Sequence, residues 1–369
     1  MRVRLVVFVA IVQSILFLAH VVVYETWIRL WGPPGSPALL ALRICFGILS
    51  VSFVAGSLLA FRFWNLLVRI FYRIAATWAG FLNFLLVAAC LSWIAYGVAL
   101  LAGSPGSGRP IVAVFFALAV VTSVYGIFNA SRVRIKSVWV RLPNLPESWK
   151  GKRAALVSDL HLGHVRAQRF SRRIMSMLAR EKPEIVFIAG DLYDGTQAPL
   201  EQLAEPWSRL SPPLGTYFVA GNHEEFRRNV SYLDAVKRAG IRVLNNGEVT
   251  AAGMQIVGVN YHSTSNPRRF AGILRDAGLD RNAPSILISH SPHLLEIAER
   301  AGISLQLSGH THRGQIIPWR WVVDRIFGQF AYGLHRFGNM MVCTSSGAGT
   351  WGPPMRVGTN PEIVMIRFD

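Results

Sequence analysis

The chain has 369 residues, 52% of them hydrophobic, a mean hydropathy of +0.35 and a formal net charge of +18. That is long for one domain and too apolar for an ordinary soluble protein. The charge raises a nucleic-acid reading, but no nucleic-acid-binding motif accompanies it, so the basic residues are expected to flank membrane segments and face anionic lipid. In chain order, Leu5–Tyr24 carries no charged residue, Leu39–Phe61 carries only Arg43, and Ile74–Leu101 and Ile111–Ala130 carry none. Each run is long enough to cross a bilayer core, which takes about 20 helical residues. Arg2 and Arg4 before the first run would suit a signal peptide, but three further spans follow and no small-residue cleavage site ends it, so a retained helix is expected.

Basic residues alternate between the flanks of these runs. Arg2 and Arg4 precede the first; Arg62, Arg69 and Arg73 lie between the second and third; Arg132, Arg134, Lys136 and Arg141 follow the fourth. The other two connections hold only Arg29 and Arg109. By the positive-inside rule, both termini and everything after the fourth span are expected in the cytoplasm. The three cysteines form no CxxC pair and no zinc-ribbon spacing, which suits a reducing compartment.

From about Arg132 the texture changes. "VRIKSVWV", "RAALVS", "EIVFIAG", "TYFVAGN", "IRVLNN", "MQIVGVN", "SILISH", "SLQLSGH", "MMVCTS" and "EIVMIRF" read as strands. "RAQRFSRRIMSMLAREK" has apolar residues at helical spacing, and "VSYLDAVKRAG" reads as a helix capped at Gly240. The expected organisation is a bundle of four transmembrane helices over residues 1–131 and an α/β domain over residues 132–369.

Polar residues able to bind metal stand where several apolar strands end: Asp159 and His161 in "LVSDLHLG", Asp191 and Asp194 in "FIAGDLYDG", Asn222, His223 and Glu224 in "VAGNHEE", His290 in "LISHSPH", and His310 and His312 in "LSGHTH". Sites in open α/β sheets gather outside the carboxyl ends of strands. Each element alone is weak, since an Asp after a strand is often a helix N-cap. Together the five segments point to one site. On an extended chain residues two apart face the same way, so His310 and His312 would leave one face together.

In that order, "DLH", "GDLYD", "GNHE", "SH" and "GHTH" resemble the five blocks of calcineurin-like metallophosphoesterases. The resemblance covers roughly residues 132–369 and extends to "GQIIP" and "PEIVMIRF", details similar to the family's membrane-associated branch. It implies an α/β/β/α sandwich, two facing sheets flanked by helices, with a two-metal site at one edge. By the resemblance, Asp159, His161 and His312 bind the first metal, Asp191 bridges both, and Asn222, His290 and His310 bind the second, which splits the His pair between the ions. His223 is the matching catalytic residue, meeting the phosphate and protonating the leaving oxygen. The implied cofactors are two divalent ions, and oxygen and imidazole donors without thiolate suit Mn, Fe, Zn or Mg. Two cations about 3.5–4 Å apart clamp the attacking and leaving oxygens of a phosphoryl group.

Other residues carry softer expectations. Asp194 should orient a ligand or the backbone rather than bind metal. His164 either touches substrate or lies in an exposed loop. Arg313, where many relatives have Gly, adds a cation beside the site or fills a loop. Glu224 is read as structural, His262 and His293 as loop residues, and His20 as a packing residue. The expected function is hydrolysis of phosphodiester or pyrophosphate bonds, with the lipid bilayer and a lipid-linked phosphate as partners and no nucleic acid. The aromatic and Arg-rich segment Pro318–Phe337 suits a membrane interface. Within the resembling branch, one activity is cleavage of UDP-2,3-diacylglucosamine. The alternatives are a nucleotide or nucleic-acid phosphodiesterase, which would need a basic groove with stacking aromatics, and a membrane sensor with a degenerate metal domain, which would lack a ligand position.

Overall fold

The computed structural model describes residues 2–226 and 230–369, with side chains described from residue 6 onward. It divides into two compact units, Met1–Phe128 with Gly352–Val357, and Asn129–Trp351 with Gly358–Asp369.

The first unit holds four helices long and apolar enough to cross a membrane: α1 (Arg2–Trp31), α2 (Ser36–Arg62), α3 (Leu66–Leu101) and α4 (Gly108–Ala130). The buried side of α2 is made of Ser50, Ser52, Gly56 and Ala60, small residues that let helix backbones approach closely without a water-driven hydrophobic effect. Asn65 caps α3 by accepting the Val68 N–H at 2.9 Å. Two buried polar groups on α1 are satisfied by indoles of α3. Trp78 donates to His20 Nε2 at 2.8 Å, and Trp93 donates to Thr26 Oγ1 at 2.9 Å. His20 also contacts the Leu16 carbonyl through Nδ1, and is a packed residue of the helix interior.

A contiguous boundary between two domains fails in one respect: Gly352–Val357 packs with the helices. Arg356 N–H donates to the Gly126 carbonyl at 2.9 Å, and a Cβ on Gly126 would come within 2.8 Å of Val357 Cγ2. A side chain at Gly126 would have to displace that of Val357, a tertiary relation with no periodic signature.

The second unit contains two six-stranded sheets. Its strands are β1 (Arg134–Val140), β2 (Arg153–Val157), β3 (Ile185–Ala189), β4 (Thr216–Val219), β5 (Arg242–Val243), β6 (Gly247–Ala251), β7 (Met254–Val259), β8 (Ser285–Ser289), β9 (Leu305–Ser308), β10 (Gly333–Phe337), β11 (Met340–Thr344) and β12 (Glu362–Phe368). The orders are β1-β12-β2-β3-β4-β5 and β10-β11-β9-β8-β7-β6. The central strands β2, β3 and β4 run parallel, as do β7, β8 and β9. β3, buried on both faces, is a continuous apolar run, "IVFIA".

Alternation along β3 assigns those faces. Ile185, Phe187 and Ala189 enter the core between the sheets, with Leu156, Val219, Ile256, Ile288, Leu307 and Trp149. Val186 and Ile188 face outward under the preceding helix, α5 (Gln168–Glu181), whose Phe170, Ile174 and Leu178 are spaced by one turn. The other helices of this unit are α6 (Leu200–Ala204), α7 (Asn222–Glu225), α8 (Ser231–Arg238), α9 (Tyr261–Thr264), α10 (Pro267–Asp276), α11 (Leu295–Arg300) and α12 (Trp319–Phe327). Phe270 and Leu274 of α10 and Ala298 of α11 cover the outer face of the second sheet. The result is an α/β/β/α sandwich.

Two strands are unanticipated. β6 and β10 are antiparallel edge strands with the sequences "GEVTA" and "GLHRF", too polar to stand out as strands. Pro318–Phe337, read as one interfacial segment, divides into α12, a turn and β10.

Candidate metal centre

The carboxyl ends of β2, β3, β4, β8 and β9 converge. Asp159 and His161 follow β2, Asp191 follows β3, Asn222 opens α7 after β4, His290 follows β8, and His310 and His312 follow β9. The extended-chain expectation for the His pair is wrong. His310 and His312 have φ of +70° and +46°, and Asp159, His161 and Asp191 have +53°, +48° and +51°. Each chain leaves its strand through left-handed turns, a region Asp and His enter more readily than most residues, and such strain collects at functional sites. The turns send the two imidazoles to different groups.

One group is Asp159, His161 and His312, all with ligand atoms within 4.8 Å of one another. His161 Nε2 lies 2.9 Å from His312 Nε2, and His312 Nε2 lies 3.5 Å from Asp159 Oδ1. In the other group, His290 Nε2 lies 3.1 Å from Asn222 Oδ1, 3.2 Å from His310 Nδ1 and 3.2 Å from Asp191 Oδ2. Asn222 Oδ1 is also 3.0 Å from His310 Nδ1. Asp191 stands between the groups, its Oδ2 3.8 Å from His161 Nε2 on the other side. His290 Nδ1 is 2.7 Å from the Ala189 carbonyl, so Nδ1 donates there and Nε2 is the nitrogen turned to the centre.

This arrangement fits a cation. Around His290 Nε2 stand an amide oxygen, a carboxylate oxygen and a second imidazole nitrogen, with little solvent, and converging lone pairs repel unless a positive charge joins them. The protonation tendencies carry the same signature. Burial pushes the Asp159 carboxyl up to about 6. Burial would raise Asp191 too, but the His290 and His223 rings hold it well below the usual carboxylate range. Burial followed by the neighbouring His290 drops His310 to about 3, so it is neutral and able to ligate. Burial opposes charge on His290, yet Asp191 lifts it to about 10. The site thus draws positive charge to the point where the second group converges.

Glu224 organises the centre. Its carboxylate accepts backbone N–H bonds from Asp191 at 3.0 Å, Tyr193 at 2.9 Å and Gly221 at 2.8 Å. Burial and then Asp191's charge push its pKa up to about 8, against those three donors, which favour the charged form. Gly221 lies directly on Asp191; a Cβ there would sit 2.2 Å from Asp191 Oδ1. His223 N–H donates to Asp191 Oδ1 at 2.9 Å. The His223 ring is turned by its Nδ1, 2.8 Å from the Asp194 carbonyl, leaving Nε2 3.9 Å from Asp191 Oδ2.

The remaining expected residues lie further out. Asp194 reaches His223 through its backbone oxygen, while its half-buried carboxylate accepts from Thr196 N–H at 2.9 Å and from the Thr196 hydroxyl. Burial raises its pKa. His164 is fully buried and bonded to Thr196 Oγ1 at 3.1 Å, so it is not an exposed loop residue. Arg313 stacks on Tyr332, its guanidinium carbon 4.2 Å from the ring centroid, and Lys136 takes the same ring at 4.0 Å. It fills the loop against an aromatic. His293 lies beside the centre, its ring 6.5 Å from that of His310, and His262 is exposed and gives its N–H to Glu225. Sequence reasoning passed over Phe226, Tyr261, Gln315 and Trp351. Tyr261 packs on His310 at 5.4 Å, and Phe226 and Trp351 on His223 at 4.4 and 5.8 Å. Of these, only Gln315 fell inside a quoted motif, "GQIIP".

Two facing mixed sheets bring these candidate metal donors together at the carboxyl ends of their strands. Residues 152–314 match the calcineurin-like phosphoesterase family. A "transmembrane protein with metallophosphoesterase domain" from Danio rerio is 34% identical over 278 residues, covering 71% of this chain and 63% of that protein. A metallophosphoesterase of Campylobacter jejuni is 31% identical over 258 residues, 68% of each chain, and one of Aquifex aeolicus is 29% identical over 68% of this chain and 97% of its own. The chain belongs to the calcineurin-like metallophosphoesterases.

Proposed function

We propose that the protein is a membrane-anchored two-metal phosphoesterase acting on a lipid that carries a phosphodiester or pyrophosphate. The observation that carries the hydrolase reading is Asp191, held between Asp159, His161 and His312 on one side and Asn222, His290 and His310 on the other. Those residues would hold two divalent ions, which supply charge neutralisation and activation of water for attack on phosphorus. The chain's own part is narrower. Glu224 fixes the turns that present Asp191 and Asn222. His223, turned by the Asp194 carbonyl, would offer Nε2 as the proton donor to the leaving oxygen. Metal analysis of the purified full chain, coupled to a screen of mono- and diesters, tests this; a chain that binds no divalent metal and hydrolyses none of them would end it.

The lipid reading rests on α12 and the four apolar helices. Among the residues of α12 none is buried; Trp319, Trp321 and Ile326 are 54%, 67% and 64% exposed, with Arg320 and Arg325 between them. Its last residue, Phe327, packs 4.9 Å from His293 and 6.3 Å from His310. Rings and cations in one exposed helix suit headgroup depth beside lipid phosphate. In detergent micelles, a diacylated sugar nucleotide should turn over at least about tenfold faster than its deacylated form, and Trp319→Ala with Trp321→Ala should reduce that advantage. Equal rates on both forms, unaffected by the substitutions, would replace the lipid with a soluble phosphoester.

We also propose that the catalytic unit faces the cytoplasm, on the alternation of Arg between the flanks of the apolar runs. A C-terminal reporter that fluoresces only in the cytoplasm should be bright, and the domain should resist protease added outside intact cells. Digestion from outside would reverse the orientation.

A further inference from the structure

Two features at the sheet edge are unused by the chemistry above: Gln315, and the pair of open aromatic rings beside His223. Phe226 is 52% and Trp351 58% exposed. Their ring centroids lie 4.4 and 5.8 Å from that of His223. Large apolar rings scattered over a surface need no explanation, but two gathered on one functional imidazole form a patch. His223 is also the group placed to protonate the leaving oxygen, so whatever departs from phosphorus there leaves past these rings.

Trp351 is held by design of the neighbouring turn. Gln315 Nε2 donates to the Trp351 carbonyl at 2.9 Å, and Gln315 Oε1 accepts the Trp351 N–H at 2.9 Å. One side-chain amide thus pairs with both backbone groups of one residue, as a neighbouring strand would. Gln315 is itself fixed. It is buried, has φ of +58°, and its carbonyl accepts from Thr359 Oγ1 at 2.9 Å. Its N–H donates to the His312 carbonyl at 3.0 Å, so the turn that delivers His312 to the metal centre also sets the tryptophan. The chain just before Trp351 is pinned to β2's exit, where Ala348 N–H donates to the Ser158 carbonyl and Gly349 N–H to that of Asp159.

We propose that Gln315 is a positioning residue for Trp351, and that Trp351 and Phe226 contact the leaving group and select esters whose leaving group presents apolar surface next to the ester oxygen. The proposal rests on the phosphoesterase reading and narrows its substrate class. In the favoured hydrolysis, a water oxygen bonds to phosphorus and gives up a proton to solvent, the bond from phosphorus to the leaving oxygen breaks, that oxygen takes its proton from His223, and His223 is reprotonated from solvent. The aromatic pair adds binding on the departing side.

The test uses the full chain in micelles with Mn2+, and two kinds of probe. Binding of phenylphosphonate and methylphosphonate, which do not turn over, is measured by calorimetry; kcat/KM is measured on phenyl and methyl phosphodiesters. The phenyl-over-methyl preference is expected to fall about tenfold in Trp351→Ala, the scale of discrimination an apolar contact provides. It should fall nearly as far in Gln315→Ala, and to an intermediate extent in Gln315→Glu, which keeps the acceptor for the Trp351 N–H. Because Gln315 acts through Trp351, the double variant should match Trp351→Ala rather than lose both effects in sum. Turnover of both esters with the phenyl preference unchanged in Trp351→Ala would overturn this proposal and leave the phosphoesterase reading standing. Failure of the wild type to hydrolyse either ester would leave the phosphonate arm to decide the aromatic contact, an unchanged preference overturning it, while the phosphoesterase reading stands or falls on metal content and the wider screen of mono- and diesters. Additive losses in the double variant would overturn the role given to Gln315.

Discussion

Asp191→Ala should abolish turnover and lower the divalent-metal content of the purified chain. The carboxylate lies 3.2 Å from His290 Nε2 and 3.8 Å from His161 Nε2, so one deletion weakens both donor groups. The loss in kcat should be about 10³-fold or more, since a metal clamp on a phosphoryl group supplies several kcal/mol and each ~1.4 kcal/mol is a factor of ten. Alanine also leaves the His223 N–H without its acceptor, Asp191 Oδ1, so a structural collapse could mimic the effect. Asp191→Asn separates the two. It keeps an oxygen for that N–H and nearly the same shape, and removes only the charge. Metal content, read by elemental analysis, should fall in both variants while circular dichroism stays unchanged in Asp191→Asn. Full occupancy in Asp191→Asn and Asp191→Ala together would remove Asp191 from its place between two ions.

How far the centre was legible depended on what each residue's position obeys. An uninterrupted apolar run announces β3, because a strand buried on both faces is apolar throughout, and shorter apolar stretches announce the middles of β8 and β12. Edge strands β6 and β10 obey no such rule and were invisible. The candidate donors Asp159, Asp191, His290, His310 and His312 are legible because polar residues at the ends of such strands are conspicuous. Their aim was not. The left-handed φ at His310 and His312 depends on the turn closing against Asp159, whose carboxylate accepts the His310 N–H at 3.1 Å. That contact joins residues 151 positions apart. Glu224 was read as structural without a mechanism, and the three backbone N–H groups it gathers come from two different loops. Asp194 illustrates the limit most clearly. Its side chain drew notice in the sequence, but the atom that turns His223 is its carbonyl oxygen, which any residue type would provide.

His223→Asn should slow hydrolysis by about 10²–10⁴-fold, the range for a positioned acid or base, while leaving the metals bound. The expectation follows from the geometry of its two nitrogens. Nδ1 is committed to the Asp194 carbonyl at 2.8 Å, which orients the ring. Nε2 is left toward the centre, 3.9 Å from Asp191 Oδ2 and too far to bond it. A nitrogen held in that way can deliver a proton to a third group. If it does so to the leaving oxygen, the defect must depend on how much that oxygen needs the proton. An alkyl ester expels a strongly basic alkoxide and should show the full loss. A p-nitrophenyl ester expels a stable phenolate and should lose far less. A ring that served only to pack against Phe226, Trp351 and His161 would impair both esters alike. The decisive measurement is therefore the ratio of the two defects in kcat/KM, with metal content determined on the same samples. A ratio near one, at full occupancy, would return His223 to a structural role and leave the leaving oxygen to be protonated by solvent.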